Sequence, residues 1–341
     1  MKTSNNYNLS GRVKDQKKMP VSAEDISVLI QGGLIATPGD RLSNSATLKT
    51  IQSVRAHLPE AEIVLSTWEG SDTGGLECEH IVLSKDPGSV KYHNSEVHNN
   101  TARQIVATQA GLACVSRPYT LKLRTDAILT HGRFLKYFDL YKKRCDVIRI
   151  LENRVLVSMI FSHNADCYPY TLFCPSDWFQ FGLSSDIRML WDIPLPVEPD
   201  NTYYFLQNPR PEPDYHPKSY NRYHPEQYLW LSFLRKHTTI DCKHHSDVSV
   251  TLKRYSELSL TNNLQILNPW QSGIISQKYL DLCDIPLNTL YGHRTWLRLY
   301  KKHCGGSPGV GPCCDSISET FRLSVIINGQ RVFKKLTVKA G

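Results

Sequence analysis

The sequence predicts an α/β fold in which helices cover a mostly parallel sheet. Short β-rich runs alternate with amphipathic segments over the first 130 residues or so, and the links between them are short and polar. This alternation is typical of βα units, whose right-handed crossovers place the carboxyl ends of the strands along one edge. The chain has 341 residues, 40% of them hydrophobic and 21% charged, which is ordinary for a globular protein.

Three strands and one helix are predicted in the first 90 residues. The strands are expected at 26–30, 62–67 and 80–83. Apolar residues recur at helical spacing across 48–58, after the candidate N-caps Asn44 and Ser45. The residues that end the first two strands share the ligand-binding edge of such a sheet: Gln31, Gly32, Thr67, Trp68 and Glu69.

A second helix follows in the segment 99–115. Its apolar residues recur at helical spacing, and Asn100 or Thr101 is a candidate N-cap. Arg103 lies in the first turn, where it either faces the same edge as the strand ends or is an ordinary surface charge.

The next strand, 119–124, leads directly to an acid. Asp126 follows it after Thr125, at a position where α/β folds bind ligands. A carboxylate there is suited to a divalent cation, since Mg²⁺ and similar hard cations prefer oxygen ligands. The alternative is that Asp126 only caps the next helix. Arg124 stands two residues before it.

The pattern changes after residue 140. Residues 146–151 and 154–161 are predicted as further strands that form a hairpin. A polar and aromatic stretch with Asp177 follows them. Residues 192–225 are rich in Pro, Tyr, Asn and Asp, which indicates a long ordered loop of the kind that carries function on an α/β scaffold.

A helix with an acidic first turn is predicted after this loop. Pro225 suits the first helical position, so Glu226 lies in the first turn. The carboxylate there is either a general base or a charge that complements the helix dipole. His245 lies in a loop beyond this helix and is a candidate metal ligand, or a polar surface residue.

Composition and charge narrow the classes of function. The net charge of +8 favours anionic partners, but no nucleic-acid-binding motif is present, so no nucleic acid is expected. No Gly-x-Gly-x-x-Gly follows the first strand, which disfavours a dinucleotide-binding dehydrogenase. The longest apolar run, 155–161, is too short to span a bilayer and the N-terminus has no apolar signal region, so we expect a cytoplasmic protein.

Two blocks give the chain a family resemblance. The chain resembles the WavE lipopolysaccharide-synthesis family most specifically in two blocks, Leu-Ser-Thr-Trp-Glu-Gly at 65–70 and Lys-Leu-Arg-Thr-Asp at 122–126. The segments 26–32, 85–88 and 100–104 add to this resemblance. The resemblance implies a GT-A-like, Rossmann-type domain over 25–250. It leaves a flexible segment at 1–24 and a C-terminal extension of unknown role at 251–341.

The resemblance implies a glycosyltransferase that moves a sugar from a nucleotide-sugar donor to a bacterial surface glycan: lipopolysaccharide core, O-antigen or capsule. The acceptor would be a lipid-linked or core oligosaccharide, reached in the cytoplasm or in peripheral contact with the anionic inner face of the membrane. The alternative is a non-catalytic GT-A-like protein that binds glycan or acts as a scaffold for a polysaccharide-synthesis complex.

The same resemblance implies a role for each candidate residue. Many GT-A enzymes have Asp-x-Asp at this strand end, whereas this chain has Arg124 in the first position. A divalent metal, Mn²⁺ or Mg²⁺, is therefore a candidate cofactor, with Asp126 and His245 as its ligands. Glu226 would be the base, and Asp177 would bind the sugars or supply a second carboxylate. The expected donor-binding residues are Gln31, Gly32, Thr67, Trp68, Glu69, Asn100, Arg103 and Arg124.

Overall fold

The computed structural model describes residues 21–37, 40–277 and 287–305. The strands are β1 (Ile26–Gln31), β2 (Glu62–Trp68), β3 (His80–Ser84), β4 (Val90–Lys91), β5 (His98–Asn99), β6 (Tyr119–Arg124), β7 (Ala127–Leu129), β8 (Val155–Ser158), β9 (Phe179–Leu183), β10 (Leu264–Leu267) and β11 (Ile274–Ser276). The helices are α1 (Ser45–His57), α2 (Thr101–Cys114), α3 (Ser184–Trp191), α4 (Tyr204–Gln207), α5 (Pro225–Arg235), α6 (Val250–Asn263), α7 (Pro269–Ser272) and α8 (His293–Cys304).

Seven of these strands form one central sheet in the order β10-β8-β9-β6-β1-β2-β3. Strand β9 is antiparallel to both its neighbours, β6 and β8, and the other neighbouring pairs are parallel. This topology confirms the predicted fold class, α/β with a mostly parallel, GT-A-like sheet. The strands β1, β2 and β6 therefore end on the same edge.

The sheet is buried on both faces. Alternate residues of β1 enter different hydrophobic clusters: Leu29 packs with Ile105 of α2, whereas Val28 and Ile30 pack on the side of α1. Helix α2 approaches β1 closely at Gly111, where a Cβ would collide with the Leu29 side chain. Helices on both faces explain why β1 and β2 are continuous apolar runs rather than alternating ones.

One predicted strand is absent, so the predicted hairpin is wrong. Residues 146–151 form a loop, and Ile148 has a positive φ of 55°. The Asn263 side chain at the end of α6 accepts hydrogen bonds from the Ile150 and Leu151 backbone N–H groups and donates one to the Ile148 carbonyl. A distant side chain thus satisfies the backbone groups that a strand partner would otherwise bond.

The central sheet extends past residue 250, into the part of the chain that the sequence assigns to a C-terminal extension. Helix α6 leads into β10, which pairs in parallel with β8, and Trp296 of α8 donates from its indole to the Leu264 carbonyl of β10. The apolar run of β10 is short, so the segment is recognised as a strand only from its pairing with β8. Of the predicted terminal segments, residues 1–20 and 306–341 lie outside the described residues.

Candidate active site

The carboxyl ends of β1, β2 and β6 and the first turn of α2 surround a cavity of about 310 Å³, which we call the donor cavity. All but two of the predicted donor-binding residues line it: Gln31, Gly32, Trp68, Asn100, Arg103 and Arg124. The sheet topology brings them together because parallel strands end on one edge.

The turn after β1, at Gly32 and Gly33, lines the donor cavity and requires glycine at its first position. Gly32 has a φ of 122°, which side chains with a Cβ rarely adopt, and its N–H donates to the Ser66 carbonyl of β2 at 3.0 Å. The Thr125 hydroxyl donates to the Gly33 carbonyl at 2.7 Å. The Trp68 indole lies against the same turn, near Gly33. These contacts fix the backbone that faces the cavity.

The two remaining donor-binding predictions lie outside the cavity lining. Thr67 is fully buried, and its hydroxyl is 3.5 Å from that of Ser71. Glu69 is exposed, and its backbone N–H donates to the Ser84 carbonyl. Since neighbouring strand residues point to opposite faces, Trp68 lines the cavity and its two neighbours do not.

Each arginine of the donor cavity pairs with an aspartate. Arg103 donates from Nε to Asp86 Oδ1 at 2.8 Å and from Nη2 to Oδ2 at 2.5 Å. These bonds hold the pKa of Asp86 below its ordinary value. Arg124 donates from Nε and Nη2 to Asp126 at 2.9 and 3.0 Å, and its guanidinium lies 4.7 Å from the centre of the Trp178 ring. Both guanidinium groups are thereby oriented towards the cavity edge.

In the conformation that the structure shows, the Asp126 carboxylate is poorly placed to bind a divalent cation. Its side chain is 2% exposed, and both carboxylate oxygens accept hydrogen bonds from Arg124. A cation at these oxygens would have to displace the guanidinium, which carries a positive charge itself. A metal-binding role for Asp126 stays a prediction, and the contact that the structure shows is one that orients Arg124.

A carboxylate pair lies beside the donor cavity. Asp177 immediately precedes Trp178 and β9, and its Oδ1 finds no hydrogen-bond partner among the described residues. The fully buried Lys122 of β6 donates from Nζ to the Asp177 carbonyl at 2.5 Å and lies 3.3 Å from Oδ2. Burial lowers the pKa of Lys122, although the charge of Asp177 opposes this shift.

Glu226, in the first turn of α5, is the second carboxylate of the pair. Burial raises its pKa to about 7, the charge of Asp177 adds to the shift, and Arg124 and Lys122 oppose it. These four side chains therefore interact electrostatically, although they come from three separate parts of the chain: β6, the residue before Trp178 and the first turn of α5. A carboxyl group that titrates near neutral pH is able to accept and release a proton during a reaction.

The third group of ionisable side chains is a cluster of histidines. His245 lies with His216 and His224, and one nitrogen of each ring lies within 4.8 Å of the others. Burial, with a smaller contribution from His163, lowers the pKa of His216 to about 4. Burial and the neighbouring His216 lower the pKa of His245 to about 3 and that of His224 well below its ordinary value. In the described part of the chain this is the one group of three or more His, Cys, Asp or Glu side chains near enough to share a metal ion, and Asp126 is not in it.

Several residues of the site were not singled out from the sequence. Lys122 lies in the block of β6 that resembles the family, but its role depends on Asp177, 55 residues away. Gln104 lines the donor cavity, and its buried Oε1 has no hydrogen-bond partner among the described residues. Its place next to Arg103 in the first turn of α2 is the one local signal that points to it. His216 and His224 offer no local signal at all.

A second, larger cavity of about 760 Å³ lies between α6 and α8. Basic side chains line much of it, among them Lys253, Arg254, Arg298 and Lys302. The two carboxylates in its lining, Asp166 and Glu257, are paired with Lys253 and Lys302, and none of the described residues at the end of a strand lines it. We therefore place the candidate active site at the donor cavity despite its smaller volume.

Comparisons with known proteins agree with the family resemblance. The family model described as WavE lipopolysaccharide synthesis matches residues 26–334. No curated protein matches the chain. Among solved structures, 4-diphosphocytidyl-2C-methyl-D-erythritol synthase from Anaerococcus prevotii is similar at 11% identity, over 70% of this chain and 97% of that one. Its TM-score is 0.30, so the likeness carries no argument about function. No helix within the described ranges is long and apolar enough to cross a membrane.

Proposed function

Because the chain belongs to the WavE lipopolysaccharide synthesis family, we propose that it is a glycosyltransferase. It would move a sugar from a nucleotide-sugar donor to a bacterial surface glycan, lipopolysaccharide core, O-antigen or capsule. The observation that carries the proposal is the arrangement of two arginines at a cavity on the edge of the sheet, next to a carboxylate pair with a raised proton affinity.

The donor cavity has the chemistry that a nucleotide diphosphate requires. Arg103 and Arg124 supply planar, forked donors that match phosphate oxygens. In our proposal the donor phosphates compete with Asp86 and Asp126 for these arginines. The Trp68 ring offers an aromatic face to the nucleobase, and the unpartnered Oε1 of Gln104 offers it a hydrogen-bond acceptor.

Glu226 is the proposed general base. The acceptor hydroxyl would attack the anomeric carbon of the donor sugar while Glu226 takes its proton. The new glycosidic C–O bond forms, the bond from that carbon to the phosphate oxygen breaks, and the nucleoside diphosphate leaves. Arg124 would stabilise the charge that develops on the leaving phosphate. Attack from the face opposite the leaving group inverts the anomeric configuration.

Asp177 is proposed to set the proton affinity of Glu226 and to contact sugar hydroxyls through Oδ1. The buried Lys122 holds its backbone carbonyl and its carboxylate. A metal ion is not required for these steps, since the arginines supply positive charge at the phosphates. Mn²⁺ or Mg²⁺ stays a proposed cofactor, which the assay below examines in parallel.

Thermal unfolding of the protein against a panel of nucleotides and nucleotide-sugars tests the proposal. A ligand at 100 times its Kd stabilises a fold by about 2.7 kcal/mol, so the correct donor should raise Tm measurably, with and without Mn²⁺ or Mg²⁺. Arg124→Ala should abolish this rise, whereas Arg298→Ala, in the cavity between α6 and α8, should retain it.

Transfer is then measured with the stabilising donor. Release of nucleoside diphosphate that depends on added glycan acceptor supports the enzyme. Stabilisation by glycans alone, with no nucleotide effect and no donor turnover, would instead support a non-catalytic glycan-binding or scaffold protein.

A further inference from the structure

The histidine cluster lies outside the roles proposed above, and its geometry points to a metal site. We propose that His216, His224 and His245 together bind one divalent ion of the zinc type. Three imidazole nitrogens with an open fourth position form a ligand set that Zn²⁺ uses in proteins. Imidazole donors suit Zn²⁺, Cu²⁺ or Ni²⁺ better than Mg²⁺ or Mn²⁺, which prefer oxygen.

The three rings converge although they come from the two loops that flank α5. His216 lies in the long loop before α5, His224 is the N-cap residue of α5, and His245 follows that helix. Their ring centres are 4.6 Å apart for His216 and His224, 4.7 Å for His216 and His245, and 5.1 Å for His224 and His245. One nitrogen from each ring lies within 4.8 Å of the others. Nitrogens that share a tetrahedral zinc ion at about 2.0–2.1 Å stand about 3.3 Å apart, so the rings would draw together when the ion binds.

Unpartnered nitrogens provide a second, independent observation. The Nε2 atoms of His224 and His245 are buried and find no hydrogen-bond partner among the described residues. The whole of His245 is 1% exposed. A buried polar atom without a partner is unfavourable, and a bound cation would satisfy both nitrogens at once.

Surrounding contacts hold the rings in place. His245 Nδ1 is 2.9 Å from the Ser246 hydroxyl, and His216 Nε2 is 3.2 Å from the Thr171 hydroxyl. The backbone N–H of His245 donates to the Arg222 carbonyl at 2.7 Å, and that of His216 donates to Asp214 at 3.0 Å. Hydrogen bonds of this kind orient metal ligands and strengthen binding.

The position of the site suggests what the ion would do. His224 precedes Glu226 by two residues, so an ion would tie the start of α5 to the loop at His216 and to the loop at His245. It would thereby fix the first turn that carries Glu226. This consequence rests on the proposed function, but binding of the metal does not.

Metal content is measured on the full chain purified without a polyhistidine tag. After incubation with Zn²⁺ and removal of the excess, we expect one zinc ion per chain. His224→Ala and His245→Ala should bind Zn²⁺ roughly 100-fold more weakly or worse, since even the loss of an outer hydrogen-bond partner costs about 10–100-fold. His237→Ala is the matched control, an exposed histidine just after the same helix.

Two further measurements keep the proposal testable if an alanine variant fails to fold. His216→Cys should retain zinc, because a thiolate is also a zinc ligand, whereas His216→Ala should lose it. Co²⁺ added to the wild-type protein should give the intense visible absorption of a tetrahedral site, and Zn²⁺ should remove it.

Wild-type protein that retains no zinc and gives no such spectrum would overturn the metal site, even if it transfers sugar normally. Stoichiometric zinc in a protein without transferase activity would support the metal site and count against the proposed function, so the two failures are distinguishable.

Discussion

On the donor-cavity side of the site each arginine faces an aspartate, whereas on the α5 side two carboxylates lie near one buried lysine. Arg103 pairs with Asp86, and Arg124 pairs with Asp126. Glu226 instead lies near Asp177, and its pKa is raised to about 7, chiefly by burial. The first arrangement presents oriented cations that an anion can share, and the second raises the affinity of a carboxyl group for a proton.

Strand β6 contributes a side chain to each side of the site. Alternate residues of β6 point to different neighbours: Arg124 to Asp126 at the cavity, and the fully buried Lys122 to Asp177. The Arg103–Asp86 pair is about one-third exposed on both sides, so it contributes little to stability and ligand phosphates can replace Asp86 at low cost. The Arg124–Asp126 pair costs more to break, because the Asp126 side chain is 2% exposed. Breaking an ion pair between a buried lysine and a carboxylate costs roughly 3–5 kcal/mol of free energy. Lys122 therefore holds Asp177 in place.

Glu226→Gln is the largest expected effect and tests the α5 side. We expect donor binding to persist and transfer to fall by roughly 10²–10⁴-fold, because glutamine keeps the shape but takes no proton. In the wild-type protein the transfer rate should rise as pH increases through about 7, since the base acts when deprotonated. Steady-state rates across pH, with Glu96→Gln as an exposed control, check this.

A product with retained anomeric configuration, or a normal rate for Glu226→Gln, would contradict its role as base. Asp177 would then be the better candidate for the carboxylate that acts in the reaction.

Asp126→Ala tests the cavity side and should lower transfer by ~100-fold or more while the fold persists. Because Asp126 accepts two hydrogen bonds from Arg124, we expect this loss to follow from a misplaced Arg124. It should therefore appear as a higher donor KM and a lower kcat, with no change in the concentration of Mn²⁺ that gives half-maximal activity. A weakened Mn²⁺ dependence in the variant would instead identify Asp126 as a metal ligand, and a wild-type rate would exclude both roles.

Arg103→Ala should raise the donor KM by about 10-fold, because a hydrogen bond to a charged group contributes roughly 1.5–3 kcal/mol and the partly exposed Arg103 side chain lies at the lower end of that range. Lys142→Ala is the matched control, since Lys142 is an exposed cation paired with Asp139 outside the donor cavity. We expect its donor KM to match the wild-type value. Equal KM values for the two variants would make Arg103 an ordinary surface residue.

The smallest effect concerns stability. The folded pKa of Glu226 is raised from 4.5 to about 7, so between these values the folded state binds more protons than the unfolded chain. The free energy of unfolding should therefore fall as pH rises from about 4.5 through about 7, by on the order of 1 kcal/mol for each unit of pKa shift. Glu226→Gln should remove this dependence, and urea titrations at pH 4, 6 and 8 measure it. Parallel pH profiles for the two proteins would show that Glu226 is ionised at an ordinary pKa.

The sequence by itself determined the first half of the molecule. The alternation of β1, α1, β2, α2 and β6 follows from the spacing of apolar residues, and parallel strands must end on a common edge. That rule alone predicted that Gln31 and Trp68 lie on the same edge as the end of β6, although it also placed Thr67 and Glu69 there, which lie outside the cavity lining. Such information is local, because each residue needs only its own strand to place it.

Tertiary structure decided the second half. Residues 146–151 have the apolar composition of a strand, yet the Asn263 side chain bonds their backbone as a loop. Lys122, Asp177 and Glu226 meet across more than 100 residues, and the histidine rings come from the two loops on either side of α5. Composition and spacing constrain which face a side chain takes on its own element, but the contacts between elements depend on how the whole chain packs. The proton affinity of Glu226 depends on burial, so only the folded structure could decide it.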